Sequence, residues 1–322
     1  MRLRFIVNPC SGRHLRSARL QPMLRHFIAS RRLDADVVLT EGPGHATELA
    51  REAVVSGCQR VVAVGGDGTM NEVGQALLRS PAALALVPCG SGNGLARHIG
   101  LPAAPRLALE LAVDEAASIR ILDTGTAAGR PFFNVMGMGL DAEVSQRFNK
   151  LVRRGLPAYA RTAFAAFLGR QNQSCTIRCG RRSETLEVLL ISVANSEQYG
   201  NGAVIAPGAR VDDGLLDLVA VRPVGIVGAA FLACRLFLGN LDRSGRVRRM
   251  RGARFEIERP APGLIHTDGE CHAAGTRIEV AVVPGSLRIV CPAVVPPSKG
   301  RGNSRASAAS SRNERSSFAL KI

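Results

Sequence analysis

Short apolar runs recur along the first third of the chain, each closed by a turn of small residues. Leu3–Val7 runs into Asn8-Pro9-Cys10-Ser11-Gly12, and 36–40 into Glu41-Gly42-Pro43-Gly44. Val61–Val64 runs into Gly65-Gly66-Asp67-Gly68-Thr69, and Leu84–Val87 into Pro88-Cys89-Gly90-Ser91-Gly92-Asn93. Runs this short, rich in β-branched residues and bounded by glycine, predict buried strands. Between them, apolar positions three and four apart predict helices over 15–29, 46–55 and 69–78, then a short one through Ile99 and another ending near Val113. Alternation of strand and helix predicts an α/β domain with a mainly parallel sheet over residues 1–126. Ligands of such sheets bind at the carboxyl ends of the strands, so the four turns are expected to converge on one site.

Past Asp123-Thr124-Gly125 the pattern changes. The stretches 132–136, 174–179, 186–194, 215–221, 254–257, 277–283 and 286–290 read as strands bounded by turns, most without a helix between them. They predict an antiparallel β-rich domain, a β-sandwich, over 127–285, with 286–295 as a strand that returns to the first domain. Helices are expected near 142–148, 157–168 and 226–238. Core packing is one reading of these helices; a channel for a lipid chain or a membrane-facing edge is the other. From Pro296 on, Ser, Arg, Asn and Gly dominate, the composition of a disordered basic tail.

Charge narrows the partners. The 322 residues carry a formal charge of +16, which suits phosphate-rich ligands or an anionic membrane surface, though a merely solvated basic face is the alternative. Aromatic residues are 4% with no Trp, too few for base-stacking platforms, and no nucleic acid is expected. The eight cysteines are scattered, as for free thiols in a reducing cytosol. The first residues read as a strand rather than a signal peptide, and no apolar run is long enough to span a bilayer. The expectation is a cytoplasmic protein, peripheral at the inner membrane surface. Arg246, Arg248, Arg249 and Arg251, next to the apolar 226–238 helix, are candidates for contact with anionic lipid.

The candidate chemistry centres on the stretch from Gly65 to Glu72. Strand, glycine turn and helix aim backbone N–H groups and a helix dipole at a phosphate. The turn lacks the lysine of the P-loop and the spacing of the dinucleotide fingerprint. Its carboxylate, Asp67, would repel phosphate unless it serves a metal or takes a proton; capping of the following helix is the alternative. A second acidic pair, Asp268-Gly269-Glu270, is either chemistry or a plain Asp-Gly hairpin turn.

Taken in order, these motifs, with Asn195-x-x-x-Tyr199-Gly200 and Asp212-Asp213-Gly214-Leu215-Leu216-Asp217, resemble the diacylglycerol kinase catalytic family, which includes bacterial lipid kinases and sphingosine kinases. The resemblance reaches to about Val295, and NAD kinases are similar at the Gly-Gly-Asp-Gly-Thr turn alone. It implies two domains with ATP in the cleft between them and transfer of the γ-phosphate to a lipid alcohol, diacylglycerol or a sphingoid base. Phosphorylation of a soluble dinucleotide is the rival. It implies ATP contacts from Asn8, Ser11, Gly12, Thr40, Gly65, Gly66, Gly68, Thr69, Met70, Asn71, Glu72, Gly90, Ser91 and Gly92. It implies Mg²⁺ as a cofactor, with a structural ion held by Asp213 and the backbone carbonyls of Arg210 and Leu215. Asp67, Asp268 and Glu270 match catalytic positions, with Asp67 or Glu270 as base and Asp268 on the metal side. Phosphoryl transfer calls for such a set: N–H donors and a hard cation on the phosphates, and a carboxylate for the hydroxyl proton. A transient membrane contact follows from a lipid substrate, and the resemblance also allows a homodimer.

The chain departs from the family in places. Its fourth turn, Gly90-Ser91-Gly92-Asn93-Gly94, is closer to sphingosine kinases than to bacterial members, yet sphingosine kinases usually carry Ser where this chain has Gly65. Asp141 and Glu143 lie where sphingosine kinases place an acidic group for the substrate, so Asp141 is a candidate substrate contact or, alternatively, a helix N-cap. Lys150, Arg153 and Arg154 follow, either approaching the triphosphate or forming a solvated helix end.

Overall fold

The structure is a computed structural model that describes residues 1–12, 17–151 and 156–293. The expected tail from Pro296, and Arg153 and Arg154, lie outside the described residues. The first lobe comprises β1 (Arg2–Val7), α1 (Ser17–Arg31), β2 (Asp34–Leu39), α2 (His45–Val55), β3 (Arg60–Gly65), α3 (Asp67–Ala76), β4 (Ala83–Pro88), α4 (Gly94–His98) and α5 (Pro105–Val113). Its strands run parallel in the order β2-β1-β3-β4. Every residue of β3 is buried, and after Arg60, whose guanidinium donates to Ala112 O and Asp114 O, its sequence is continuously apolar rather than alternating.

The chain then crosses through β5 (Ser118–Ala127), β6 (Arg130–Phe132), β7 (Val135–Gly139), α6 (Leu140–Asn149) and α7 (Leu156–Leu168). The second lobe continues with β8 (Gln173–Cys179), β9 (Arg182–Val188), β10 (Leu190–Ala194), β11 (Gln198–Gly200), β12 (Ala203–Val204), β13 (Leu216–Val221) and α8 (Ile226–Leu238). It ends with β14 (Val247–Gly252), β15 (Arg254–Glu258), β16 (Gly263–Thr267), β17 (Glu270–Ala274) and β18 (Arg277–Cys291). One antiparallel sheet has the order β14-β13-β10-β7-β16-β17. Its inner face meets the β18-β15-β8-β9 part of the first sheet across a core that includes Met136, Met138, Ile191, Leu218, Phe255, Ile257 and Val280. The result is an α/β lobe with a mainly parallel sheet joined to a β-sandwich, as the sequence pattern predicts.

β18 stitches the lobes together. Its first half pairs with β15, and Ile289 near its end pairs parallel with Leu84 of β4. A register shift between Val283 and Leu287 marks the crossing, so the two strands expected at 277–283 and 286–290 form one strand with a bulge. The run 186–194 resolves the other way. β9 belongs to one sheet and β10 to the other, and Leu189 between them donates its amide to Val221 O at 2.8 Å. An apolar run does not reveal a change of partner sheet. The expected strand 132–136 is likewise broken, because the amides of Phe133, Asn134 and Val135 turn toward a side chain instead of a ladder.

The arginines of β14 are committed within the protein. Arg248 pairs with Glu184 at 2.8 Å, Arg249 with Asp217 at 2.8 Å, and Arg251 with Asp213. Only Arg246 of that group is without a carboxylate partner among the described residues.

Candidate active site

The central turn is built by close packing at the end of β3. A Cβ added to Gly65 would lie 2.4 Å from Thr69 Oγ1, so no side chain fits there. Asn8 Nδ2 donates to the same Thr69 Oγ1 at 3.1 Å, and Asn8 Oδ1 accepts from Cys10 N at 2.9 Å. These bonds fasten the first loop, with Ser11 and Gly12, to the central turn. Thr40 is buried and donates its amide to Val7 O at 2.9 Å, which sets the end of β2 beside that of β1. On α3, Thr69, Met70 and Asn71 are buried while Gly68 is exposed. Glu72 Oε2 accepts from Ala46 N at 3.0 Å, capping the start of α2.

Asp67 reaches across to the fourth turn. Its Oδ2 accepts from Asn93 N at 2.8 Å and its Oδ1 from Gly94 N at 2.9 Å. The carboxylate therefore caps α4, not its own helix, and holds Gly90, Ser91 and Gly92 beside Gly65 and Gly66. Burial pushes its pKa up, opposed by these backbone N–H groups. A groove of about 420 Å³, of a size suited to a small-molecule ligand, opens beside the turns, lined by Gly12, Cys89, Gly90, Asn93, Arg97 and Pro105 among others.

The second lobe meets this rim with the β16–β17 hairpin. Asp268 and Gly269 have φ of 50° and 89°, and Thr267 pairs with Glu270, so the pair does form a two-residue Asp-Gly turn of the primed kind. The turn also carries a load. Asp268 Oδ1 accepts from Asn134 N and Val135 N, both at 2.9 Å, and Oδ2 accepts from Phe133 N at 2.7 Å. Burial raises the Asp268 carboxyl to about 6 despite these three donors. Glu270 accepts no hydrogen bond from the described residues and stays open to solvent. Crowding by the surrounding protein pushes its pKa up, helped by the negative charge of Glu72 on the opposite lobe.

The lobes touch at Gly94. Its Cα faces the Asn134 side chain so closely that a Cβ would sit 2.2 Å from Nδ2. A continuous path therefore runs from Asp67 through Gly94 and Asn134 to Asp268. Asn195 reinforces it from beneath, donating from Nδ2 to Asp123 O at 2.9 Å and Phe133 O at 2.8 Å.

Asp141 lies deeper, 6% exposed at the start of α6. Its Oδ2 accepts from Ser192 Oγ at 2.8 Å and Tyr199 OH at 2.6 Å, and faces His266 Nε2 at 3.2 Å. Burial alone would raise its pKa, but His266 and the two hydroxyls together leave it below the ordinary carboxylate value. His266 in turn accepts from Gly269 N through Nδ1 at 3.2 Å, so this buried cluster braces the hairpin that carries Asp268 and Glu270.

The 210–217 turn does not fit a dedicated metal site. Asp213 Oδ1 accepts from Leu215 N at 3.1 Å, and Oδ2 is paired with the guanidinium of Arg251. A cation joining Asp213 to the carbonyls of Arg210 and Leu215 would have to displace Arg251. Among the described residues, no group of three or more His, Cys, Asp or Glu is arranged to hold a metal ion. The turn is fixed instead by Asp123, which accepts from Gly214 N at 2.7 Å and Gly285 N at 2.8 Å.

Sequence reasoning names Asp67, Asp268, Glu270 and the glycine turns; the structure links the Asp67 turn to the Asp268 hairpin through the contact of Gly94 with Asn134. It does not single out Asn134, Asn93 or His266. Asn134 sits in the expected strand 132–136, where a polar residue among apolar ones is the available signal, whereas His266 lies in β16, a strand the sequence reading does not predict.

Comparison with known proteins agrees with this architecture. The profile of the diacylglycerol kinase catalytic domain matches residues 2–126, and that of the YegS C-terminal NAD kinase beta sandwich-like domain matches 134–291. A protein of Pseudomonas aeruginosa (strain UCBPP-PA14) named "Probable lipid kinase YegS-like" is 35% identical over 266 residues, covering 81% of this chain and 85% of its own. A protein of the same name from Chromohalobacter salexigens is 31% identical over 265 residues, covering 77% and 81%. Among solved structures, a diacylglycerol kinase from Bacillus anthracis str. Sterne superposes with a TM-score of 0.71 at 21% identity, over 92% of this chain and 98% of its own. An NAD kinase from Archaeoglobus fulgidus in complex with ATP gives 0.51 at 14% identity, over 90% and 94%. Those two likenesses are of fold. The chain belongs to the diacylglycerol kinase catalytic family, with the YegS-like lipid kinases, and is a kinase-type enzyme.

Proposed function

We propose that this protein transfers the γ-phosphate of ATP to the hydroxyl of a lipid alcohol, with Glu270 receiving the hydroxyl proton. The observation that carries this reading is the division of labour among three carboxylates at the contact between the lobes. Asp67 and Asp268 each have both oxygens engaged by backbone amides, while Glu270 is open. A base must reach the proton it takes, and geometry comes before pKa in choosing it. The raised pKa of Glu270 then suits it to hold a proton briefly.

The triphosphate would lie along the amides of the Gly65–Thr69 and Gly90–Gly92 turns, where the N-terminus of α3 adds favourable dipole. The groove beside Gly12, Cys89 and Pro105 offers room for the nucleoside. Mg²⁺ arriving with ATP would neutralise charge on the phosphates, and Glu72, which has one oxygen engaged by Ala46 N, would offer the other as a ligand. Asp67 and Asp268 position the two lobes against each other.

Asp141 bears on the choice of lipid. It is enclosed, and its Oδ2 already has two hydroxyl donors beside a histidine. A carboxylate so compensated gains little from a sphingoid amine, which favours a neutral alcohol such as diacylglycerol. Labelled ATP offered with diacylglycerol and with sphingosine in mixed micelles, and with NAD in solution, tests the reading. Phosphorylated diacylglycerol is the expected product. Turnover of NAD alone would replace the lipid reading with a dinucleotide one.

A further inference from the structure

Two helices of the second lobe keep an apolar face turned to solvent. On α8 the exposed positions are Ile226, Val227, Ala230, Phe231, Ala233, Cys234, Phe237 and Leu238, one side of the helix with no polar side chain in it. Val227 is 85% exposed and Leu238 64%. Only the opposite side, through Leu232 with Ala229 and Leu236, packs on the sandwich. On α7 the exposed positions include Pro157, Ala160, Phe164, Ala165 and Leu168, with Arg161 the one charge among them. The two helices are tied at their ends, where Arg170 donates to Val224 O at 3.1 Å.

An apolar helix in water normally buries its stripe. Exposed apolar faces on two elements of one lobe are the kind of surface that marks an interaction site. The charges around it share one sign. No Asp or Glu occurs between 144 and 183 or between 218 and 241. Arg161, Arg170, Arg222 and Arg235 lie within those intervals, and the guanidinium of Arg235 stacks over Phe231 at 4.8 Å from the ring centre. Beyond the end of α8, Asp242 lies 3.9 Å from Arg249. An apolar face rimmed by arginine complements the headgroups and upper acyl region of an anionic bilayer. At 13 residues α8 is too short to cross a bilayer, and no helix among the described residues is long and apolar enough to do so.

The surface also lies close to the site. α7 packs on α6, which touches β17 where Glu270 begins the strand. α8 packs on β12, whose partner β11 ends at Gly200 against Gly92 of the fourth turn.

We infer that the exposed faces of α7 and α8 form an in-plane docking surface for an anionic lipid bilayer. It deepens the lipid-kinase reading, and rests on that reading for its purpose, while its test reads binding alone. Protein without ATP is floated with vesicles of phosphatidylcholine containing one-third phosphatidylglycerol, and with phosphatidylcholine alone. Binding on the order of tenfold tighter to the anionic vesicles, falling as salt is raised, is expected. The double variant Val227→Glu, Phe231→Glu should lose on the order of tenfold or more of that binding. Its melting temperature, and its turnover of a short-chain, water-soluble diacylglycerol, should match the parent. Equal flotation of parent and variant, or equal binding to both vesicle types, overturns the inference. So does a stable dimer in sedimentation that the variant dissociates, which would assign the face to a second copy of the chain. Absence of turnover on every lipid, with binding intact, would instead count against the kinase reading.

Discussion

The Cα of Gly94 in the α/β lobe lies against the side chain of Asn134 in the sandwich, with room for a hydrogen and nothing larger. Gly94 also gives its amide to Asp67, and Asn134 gives its own to Asp268. One contact thus relates two carboxylates whose oxygens are all engaged by backbone amides. Gly94→Ala should cost about 1–3 kcal/mol through overpacking, since Asn134 Nδ2 is itself held by Gln198 O at 2.8 Å. Chemical denaturation would measure it, and kcat should fall along with stability. A stable Gly94→Ala protein with normal kcat would show that the lobes tolerate separation there.

Glu270→Gln should separate chemistry from folding. The side chain makes no hydrogen bond to the described residues, so its melting temperature should hold while kcat falls about a hundredfold or more. Asp268→Asn should lose both, because an amide nitrogen cannot accept from the three N–H groups that converge there. If the two variants behave alike, Glu270 is structural and the proton goes elsewhere.

Gly65 discriminates among family patterns on steric grounds. A serine there would drive its Cβ into Thr69, whose hydroxyl already holds Asn8. Gly65→Ser should therefore destabilise by about 1–3 kcal/mol and weaken ATP binding, read by calorimetry. Adding Thr69→Gly, which removes the Cβ as well as the hydroxyl, should recover part of the stability if the clash is the cause.

Acidification should move activity and stability in opposite directions. Asp268 holds its proton up to about pH 6 in the folded protein, above the ordinary carboxylate value of about 3.9. The folded state thus binds this proton more tightly than the unfolded chain. Its contribution to stability is present below the unfolded value and is lost as pH rises through 6. Activity should instead fall on acidification, because Glu270, whose pKa is raised by the surrounding protein and by Glu72, takes up a proton and can no longer accept one from the lipid hydroxyl. A kcat/KM profile beside melting temperatures at each pH checks this, and the Asp268→Asn protein should lack that component of the melting profile.

Chelation should leave the fold untouched. With Arg251 on Asp213, removing divalent ions with EDTA should not shift the melting temperature, whatever it does to turnover with ATP. A drop on chelation would mean that a cation displaces Arg251 and clamps the 210–217 turn.

The parallel lobe is highly legible in the sequence because its physics is local. A buried parallel strand is apolar throughout, and its glycine turn follows at once, so Val61–Thr69 announces both element and site. The sandwich is harder to read. Its alternation is weak where both faces are covered, and partner exchange at Leu189 or the bulge after Val283 leaves no periodic trace. The arginines of β14 look like a free basic patch because their partners, Glu184, Asp213 and Asp217, are distant in sequence. Asp67 and Asp268 are visible as carboxylates in glycine turns, but their acceptance of backbone amides from other elements is a purely tertiary fact.

The long strand β18 has a consequence for dissecting the protein. It contributes Leu287 and Ile289 to the core beneath the nucleotide-side helices, and Ile278 and Val280 to the sandwich. A fragment stopping near residue 126 would leave the edge of β4 unpaired and an apolar trench where Ile289 belongs. Such a piece should aggregate rather than fold, so each lobe is expected to mature only after synthesis has passed Cys291, and a split-gene version would need its break in a loop of the sandwich instead.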